Sequence, residues 1–440
     1  MKIKHYLGSM ALLALLIFTA SCKKGGNPGF KISGPLYIQT NGIKNEMICY
    51  ARKDDGSLVE VQRIATGGAG SGTYKPIYDQ PSEPNAFEGV KSVILTSDNK
   101  WLFTTNGGNN SVSSFKVGDD GRLTLIDVQP TGQPVTGKSG TAKSLAYAEN
   151  THTLYVCHAF GPDHIHMFSV KDGKLTQKGG SYTVNVGDKH RIPTEIILSP
   201  DNKFLMVDIL FDQMPGKNPD GTPIVVVANM VDKDGLVIFP VNADGSLGMA
   251  NFTDAGGATG FDMAFLHGSN NTFINSYAGS GGIAMCTIDA SGKVTCAPVV
   301  MINQTIGMPS ELCWIAISPD NREVYTTDFG YSYVSSFTIN NRALSVDADP
   351  AAAPVPGDGT FKALDKVVSS GPNDNWLSPD GNYFYQIYPN ASKLIGYKTT
   401  GNGKLQKIDT KAIPYTSPQG LAGFNFNIAE ADQQKLNPQK

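Results

Sequence analysis

Asp120-Gly121-Arg122-Leu123 decides how this chain reads, because the phrase keeps returning. Near-copies stand at Asp55-Gly56-Ser57-Leu58, Asp172-Gly173-Lys174-Leu175, Asp244-Gly245-Ser246-Leu247, Ser291-Gly292-Lys293-Val294, Asn341-Arg342-Ala343-Leu344 and Asn402-Gly403-Lys404-Leu405. A tight hairpin needs positive φ, which Gly adopts freely and Asn at little cost. Alternating strands lead into the turns, as in Val112-Ser113-Ser114-Phe115-Lys116-Val117 and Val334-Ser335-Ser336-Phe337-Thr338-Ile339. Seven such turns predict seven hairpins, at an average spacing of about 58 residues that matches propeller periods once insertions are allowed.

A second phrase sits two strands upstream: Leu95-Thr96-Ser97-Asp98-Asn99, Leu198-Ser199-Pro200-Asp201-Asn202, Ile317-Ser318-Pro319-Asp320-Asn321 and Leu377-Ser378-Pro379-Asp380-Gly381, with degenerate copies at Ala148-Glu149-Asn150 and Gly268-Ser269-Asn270. Short apolar strands follow, such as Trp101-Leu102-Phe103. One unit is therefore strand, S-P-D-N turn, strand, loop, strand, D-G turn, strand, which is a four-stranded propeller blade. The first hairpin lacks its upstream strand, since the chain enters at Pro35-Leu36-Tyr37-Ile38. The last hairpin is followed by the unpaired Ser417-Pro418-Gln419-Gly420-Leu421-Ala422-Gly423-Phe424. The prediction is an all-β seven-bladed propeller over 35–427, its ring closed by N- and C-terminal strands sharing one blade, which removes exposed sheet edges. Gly-, Pro- and Asp-rich insertions at 66–88, 209–233 and 345–366 read as long loops.

The 440 residues carry 36 Lys+Arg against 39 Asp+Glu, a formal charge of −3, which argues against a basic nucleic-acid footprint. With 40% hydrophobic residues the chain can bury a large core, and bulk disorder is excluded. Lys2, Lys4 and His5 precede an apolar run from Met10 to Ala20, too short for a bilayer core that needs about 20 residues. Residues 1–21 read as a signal peptide. Thr19-Ala20-Ser21-Cys22 resembles a lipoprotein cleavage box, which would make Cys22 the acylated first residue of the mature chain, 22–34 a tether and 428–440 a polar tail. Thr19 stands where Leu is usual, so plain secretory cleavage is the alternative. The expectation is an exported monomer, lipid-anchored in the bacterial cell envelope at the outer membrane facing the periplasm, that meets the membrane only through its anchor.

The other cysteines, Cys49, Cys157, Cys286, Cys296 and Cys313, contain no C-x-x-C, which disfavours a thiolate metal site. Pairing across the Ser291-Gly292 turn sets Cys286 opposite Cys296 within disulfide reach. Two unpaired thiols packed as small apolar residues are the alternative.

Taken together, these phrases resemble the seven-bladed propeller lactonases, a family that includes phosphogluconolactonase and carboxymuconate-lactonizing cyclase. Gly161-Pro162-Asp163-His164-Ile165-His166-Met167-Phe168 is similar to the family's G-x-D-R-V-x-V-Y strand, and the stretch from Gly371 to Gly381 to its G-P-R-H-x-x-F-x-P-D-G phrase. The resemblance implies His and Arg residues around one tunnel mouth that supply a base and oxyanion donors for lactone opening. Here the sequence departs. The family's P-H-A-H-S aligns with Ser139-Gly140-Thr141-Ala142-Lys143 and its G-P-R-H with Ile192-Pro193-Thr194-Glu195, with every His lost.

The same alignment places Ser92, Lys143, Glu195, Asp262, Trp314, Asp374 and Gly420 at the mouth, one per blade, with Lys91, Arg191 and Asn373 adjacent. Three readings follow. The first is plain polar lining of a wet tunnel. The second is a binding site in which carboxylates accept hydrogen bonds from a small sugar-like ligand, Trp314 stacks on it, and Ser92, Lys91 and Asn373 add contacts. The third is a lactonase-type hydrolase with Glu195, Asp262 or Asp374 as base and Lys143 or Arg191 facing the oxyanion. No cofactor is expected, and the partner expected is a small molecule. His158, His164 and His166 share a hairpin and are candidate zinc ligands, although solvated or hydrogen-bonded histidines are the commoner outcome.

Overall fold

The computed structural model describes residues 31–72, 90–132, 141–159, 161–185, 191–211, 234–302, 310–360, 362–363, 367–415 and 417–427. Cys22, the segment 1–21 and the tail 428–440 lie outside the described residues. The chain forms seven antiparallel sheets of four ordered strands, joined in the fifth blade by a short extra strand, Val300–Met301, and accompanied by a two-strand ribbon at 362–368. The innermost strands of the second to seventh blades are Val93–Leu95, Ala142–Ala148, Ile192–Leu198, Gly260–Phe265, Leu312–Ile317 and Asn373–Leu377.

Both recurring phrases act through backbone geometry. Gly56, Gly121, Gly173, Gly245, Gly292 and Gly403 hold φ between 68° and 83°, and the sixth turn along the chain uses Asn341 and Arg342 at 48° and 63°. In the S-P-D-N phrase the first hydroxyl donates to the Asp two residues on, at 2.7 Å for Thr96, 2.8 Å for Ser199, 2.7 Å for Ser318 and 2.5 Å for Ser378. Asn99, Asn202 and Asn321 then take left-handed φ of 55–57°.

Blades are joined by apolar surface and by a repeated clasp. At every interface one cluster forms, as where Tyr155, Cys157 and Met167 of the third blade meet Ile196, Leu205 and Val237 of the fourth. Equivalent clusters fill the other six interfaces. Across three of them a buried tyrosine hydroxyl donates to the turn glycine of the next blade: Tyr37 to Gly121 O at 2.7 Å, Tyr155 to Gly245 O at 2.7 Å and Tyr385 to Gly56 O at 2.6 Å. An eighth cluster, including Val90, Ile192, Phe261, Cys313, Trp314 and Phe329, joins four blades across the ring axis instead.

The first blade is completed by the chain's other end. Its inner strand is Gln419–Gly423, paired antiparallel to Ile32–Gln39 with Leu36 opposite Gly423 and Ile38 opposite Leu421. The strand begins at Ile32, inside the expected tether, because Phe426 N–H donates to Ser33 O and fixes that end. Arg52 latches the closure: its guanidinium donates to Asn425 Oδ1 and to Phe424 O at 3.5 Å and lies 5.5 Å from the Trp376 ring centre. The insertion expected at 345–366 starts later than its composition implied. Ala343–Ala352 is one continuous outer strand, since Ala348, Ala351 and Ala352 bury against the seventh blade.

Candidate functional site

Six of the seven inner strands share one irregularity, and the inner strand of the second blade pairs in regular register. The register slips around Lys143, around Thr194, at Phe261–Asp262, at Cys313–Trp314, at Asp374 and at Gly420. Such bulges re-aim side chains and recur beside functional sites. Here they fall at or beside the predicted ring positions.

Three of the aligned acids use one oxygen each to join blades. Glu195 Oε2 accepts Met263 N–H at 2.6 Å, Asp262 Oδ2 accepts Ile315 N–H at 2.9 Å, and Asp374 Oδ2 accepts Leu421 N–H at 3.0 Å. In each case the donor belongs to the next blade's inner strand. Ser144 Oγ does the same for Ile196 N–H at 3.0 Å.

Lys91 organises the remaining oxygens. It enters from the second blade with φ of 53°, a left-handed conformation uncommon for a non-glycine residue. Its ammonium crosses the bore to Glu195 Oε1, to Asp262 Oδ1 at 3.4 Å and to Met263 O at 2.9 Å. Lys91 keeps 32% of its side chain accessible within the bore, whereas Glu195 has none. One cation faces three carboxyl groups, so burial decides their charge. Burial pushes the Asp374 carboxyl well above the usual carboxylate range, with Asp262 adding to the rise. Burial also raises Asp262 against the pull of Lys91, and lowers the Lys91 ammonium against the pull of Asp262. The cluster is thus one ion pair with acids held toward their neutral form.

Lys91, Asp262, Trp314 and Asp374 line a cavity of about 310 Å³ whose remaining wall includes Ile197, Met263, Phe265, Ile315 and Leu421. Trp314 is 2% exposed, with its ring edge-on to Phe261 at 4.7 Å, so it forms wall and offers no open stacking face. The other expected contacts point elsewhere. Ser92 Oγ accepts from Gln39 Nε2 at 2.8 Å at the first interface. The Arg191 guanidinium lies 4.2 Å from the Phe252 ring centre, on the outermost strand of its blade. Lys143 and Asn373 are fully buried outside the cavity lining, and the Asn373 amide finds no protein partner. At Asn373 the one-residue bulge at Asp374 separates the expected contact from the residue that does line the cavity. Asp208, which sequence spacing did not single out, is a further buried acid near Asp262, raised by burial. Its signal was a lone charge inside the apolar strand Phe204–Phe211.

The histidines do not assemble a metal centre. His158 Nε2 meets Thr131 Oγ1 at 2.8 Å, His166 Nε2 meets Asp163 O at 3.1 Å, and His164 Nδ1 meets Pro162 O at 3.2 Å. Burial pushes His158 down to about 3 and His164 down to about 4. Among the described residues no group of three His, Cys, Asp or Glu is placed to hold a metal ion. Cys286 and Cys296 sit opposite each other across their hairpin and are joined by a disulfide.

No protein-family profile matches the chain. An uncharacterised protein of Staphylococcus epidermidis is 26% identical over 148 residues, covering 33% of this chain and 37% of that relative's length. Solved structures match far more of it. A candidate 6-phosphogluconolactonase of Bacteroides fragilis superposes with a TM-score of 0.63 at 15% identity, over 89% of this chain and 98% of that one. The periplasmic gluconolactonase of Pseudomonas aeruginosa gives 0.62 at 14% identity, over 89% and 98%. A candidate 6-phosphogluconolactonase of Bacteroides uniformis gives 0.61 at 13%, over 89% and 100%. At these identities the shared property is the seven-bladed fold.

Proposed function

We propose that this protein is a ligand-binding propeller of the bacterial cell envelope, tethered through Cys22, whose bore takes a small polyhydroxylated molecule. The observation that carries this reading is the Lys91 ammonium set between Glu195 and Asp262, beside Asp374, on a cavity of about 310 Å³. That volume sits at the lower end of the roughly 300–1,000 Å³ typical of small-molecule pockets, which favours a ligand of monosaccharide size. Hydroxyl groups suit this lining because they both donate and accept, and so can pair with the ammonium, with carboxylate oxygens and with protonated acids. Glu195 is a poor general base here, since both its oxygens are already engaged. Lys143 and Arg191, the oxyanion partners expected of a hydrolase, lie outside the cavity lining, and Lys91, the cation that does line it, is engaged with Glu195 and Asp262. The fold likeness to a periplasmic gluconolactonase supports sugar acids and lactones as the first compounds to try.

One observation favours the hydrolase alternative: Asp374 lines the cavity with Lys91, and burial pushes its carboxyl well above the usual carboxylate range, which suits a proton donor. A thermal-shift screen of monosaccharides, sugar acids and sugar lactones separates the readings, with lactone opening followed in parallel by titration. A binder at 100-fold its Kd stabilises the fold by about 2.7 kcal/mol. Stabilisation without turnover supports the binding reading. Turnover abolished by Asp374→Asn would replace it with the hydrolase, and no stabilisation by any compound would remove both.

A further inference from the structure

The clasp between blades changes at one interface. Tyr155 and Tyr385 stand third in their strands, Thr153–His158 and Tyr383–Tyr388, and each hydroxyl reaches a turn-glycine carbonyl of the next blade. Tyr325 stands third in Glu323–Asp328 of the sixth blade, but its hydroxyl donates to Glu323 Oε2 at 2.6 Å. Glu323 Oε1 in turn accepts Gly403 N–H at 3.2 Å, from the hairpin turn of the seventh blade. In the turns at Gly56, Gly121, Gly245 and Gly292 the equivalent N–H bonds back to a carbonyl of its own hairpin, at 2.9–3.0 Å. At Gly403 that N–H is handed to a carboxylate instead.

The residue before it is Asn402, exposed on the turn. Its Oδ1 accepts from Thr400 Oγ1 at 2.5 Å, a hydroxyl that also lies 2.8 Å from Lys404 O. When glycine follows asparagine, the backbone nitrogen can approach the side-chain carbonyl with no Cβ in the way. Here the attacking nitrogen contacts a proton acceptor and the carbonyl contacts a donor, the two aids that such an attack needs. The other Asn-Gly pairs, Asn41-Gly42 and Asn106-Gly107, are placed differently. Both asparagines are buried, and their Nδ2 atoms donate within the fold, Asn41 to Ser71 Oγ at 2.9 Å and Asn106 to Ser111 Oγ at 3.1 Å and Ser113 Oγ at 2.8 Å.

We propose that Asn402 is a self-modifying site, at which the turn deamidates with Glu323 as proton acceptor and water as the co-reactant. Gly403 N bonds to Asn402 Cγ, and the proton of that nitrogen passes through Glu323 to Nδ2. The Cγ–Nδ2 bond breaks and ammonia leaves to solvent. Water then opens the succinimide ring at one of its two carbonyls, giving aspartate or isoaspartate. Aspartate fits this turn, since Asp55, Asp120 and Asp244 hold the same place in theirs, where Oδ1 accepts the N–H two residues on at 2.9–3.0 Å. Isoaspartate does not fit. It lengthens the backbone by a methylene beside Gly403, where even an added Cβ would come within 2.2 Å of Asp347 Oδ2 of the sixth blade. That product therefore loosens the contact between the sixth and seventh blades.

The test is peptide mapping by mass spectrometry of the full chain after storage in neutral buffer, folded in one sample and unfolded by urea in the other. The expected result is conversion at Asn402 that runs faster in the folded chain, with Asn41 and Asn106 keeping their amides while folded. Glu323→Gln, verified as folded by its melting curve, should slow the folded-state conversion by about 10²-fold, the low end of what a positioned proton acceptor contributes. Thr400→Val, on the exposed turn, should slow it as well and serves as the second variant if Glu323→Gln does not fold. A folded chain that converts Asn402 no faster than the chain in urea overturns the proposal, because the turn then shields the pair. Folded-state rates that match wild type in these variants overturn it too.

Discussion

The hairpin rim and the bore of this propeller are built on opposite rules. At the rim, sequence and geometry repeat together, with the same turn phrase and the same positive φ in every blade. In the bore the geometry repeats while the chemistry does not. A bulge recurs at the ring positions, yet the side chains there are Lys143, Glu195, Asp262, Trp314, Asp374 and Gly420. Repetition at the rim serves packing, because three of the turn glycines, Gly56, Gly121 and Gly245, receive tyrosine hydroxyls from the neighbouring blade. At Gly56 an added Cβ would come within 2.3 Å of Tyr383. Variation in the bore is where one ring becomes able to recognise one ligand.

The largest effect should come from breaking what both regions share, the closed ring. Ending the chain before Ser417 removes the inner strand of the first blade and leaves Asp374 Oδ2 without its Leu421 partner. The edge of Ile32–Gln39 is then exposed, and chemical denaturation should lose its single cooperative transition. A truncated chain that unfolds like the full one would show that closure does not hold the rim and the bore together.

Next comes a change confined to the bore. Lys91→Met leaves Glu195 buried without its cation, a loss of about 3–5 kcal/mol at pH 7 that should shrink in acid, where the orphaned carboxyl groups take up protons. Urea unfolding at pH 7 and pH 4 reads both values. Equal losses at the two pH values would mean that Lys91 acts by packing alone.

A change confined to the rim should be smaller and should leave the bore untouched. Replacing Cys286 and Cys296 by Ala opens a short hairpin loop, with an expected loss of about 2–3 kcal/mol by chain entropy. Denaturant midpoints and the thermal shift given by a bore ligand should separate cleanly, the first falling and the second unchanged.

Asp374→Asn should have the smallest effect and the opposite sign. Its folded-state carboxyl is raised by burial, so the stability it contributes is complete below the ordinary carboxyl value near 3.9 and is lost as pH rises through the raised value. Asn cannot ionise and still offers Leu421 N–H an oxygen. The variant should therefore match wild type near pH 4 and melt higher at pH 8. A lower melting temperature at pH 8 would mean that the ionised Asp374 stabilises the bore.

The rim was legible in the sequence because each phrase there carries its own geometry: Gly at the turn, a hydroxyl two residues before an Asp, Asn or Gly at the left-handed position. The closing strand was legible too, as a half-blade lacking a partner. The bore was only partly so. Lys91 was placed beside the ring and turned out to span it, while Arg191 was expected in the bore and lies against Phe252. Side chains on a strand alternate faces, so a one-residue bulge reverses which neighbour points inward, and spacing alone does not reveal a bulge. The strand through Ala352 was hidden for another reason, as Ala-, Pro- and Asp-rich composition outweighed the burial that holds it in place.

Closing the ring with the last strand also sets a clock on the protein's birth. Arg52 and Asn425, which latch the first blade, are separated by 373 residues. At synthesis rates of roughly 5–20 residues per second, the first strands wait on the order of 20–75 s for their partner. Throughout that interval Ile32–Gln39 has an open edge able to pair with any other extended chain. The nascent propeller is therefore most open to misassembly just before its final residues appear, and it should depend on chaperones most at that stage.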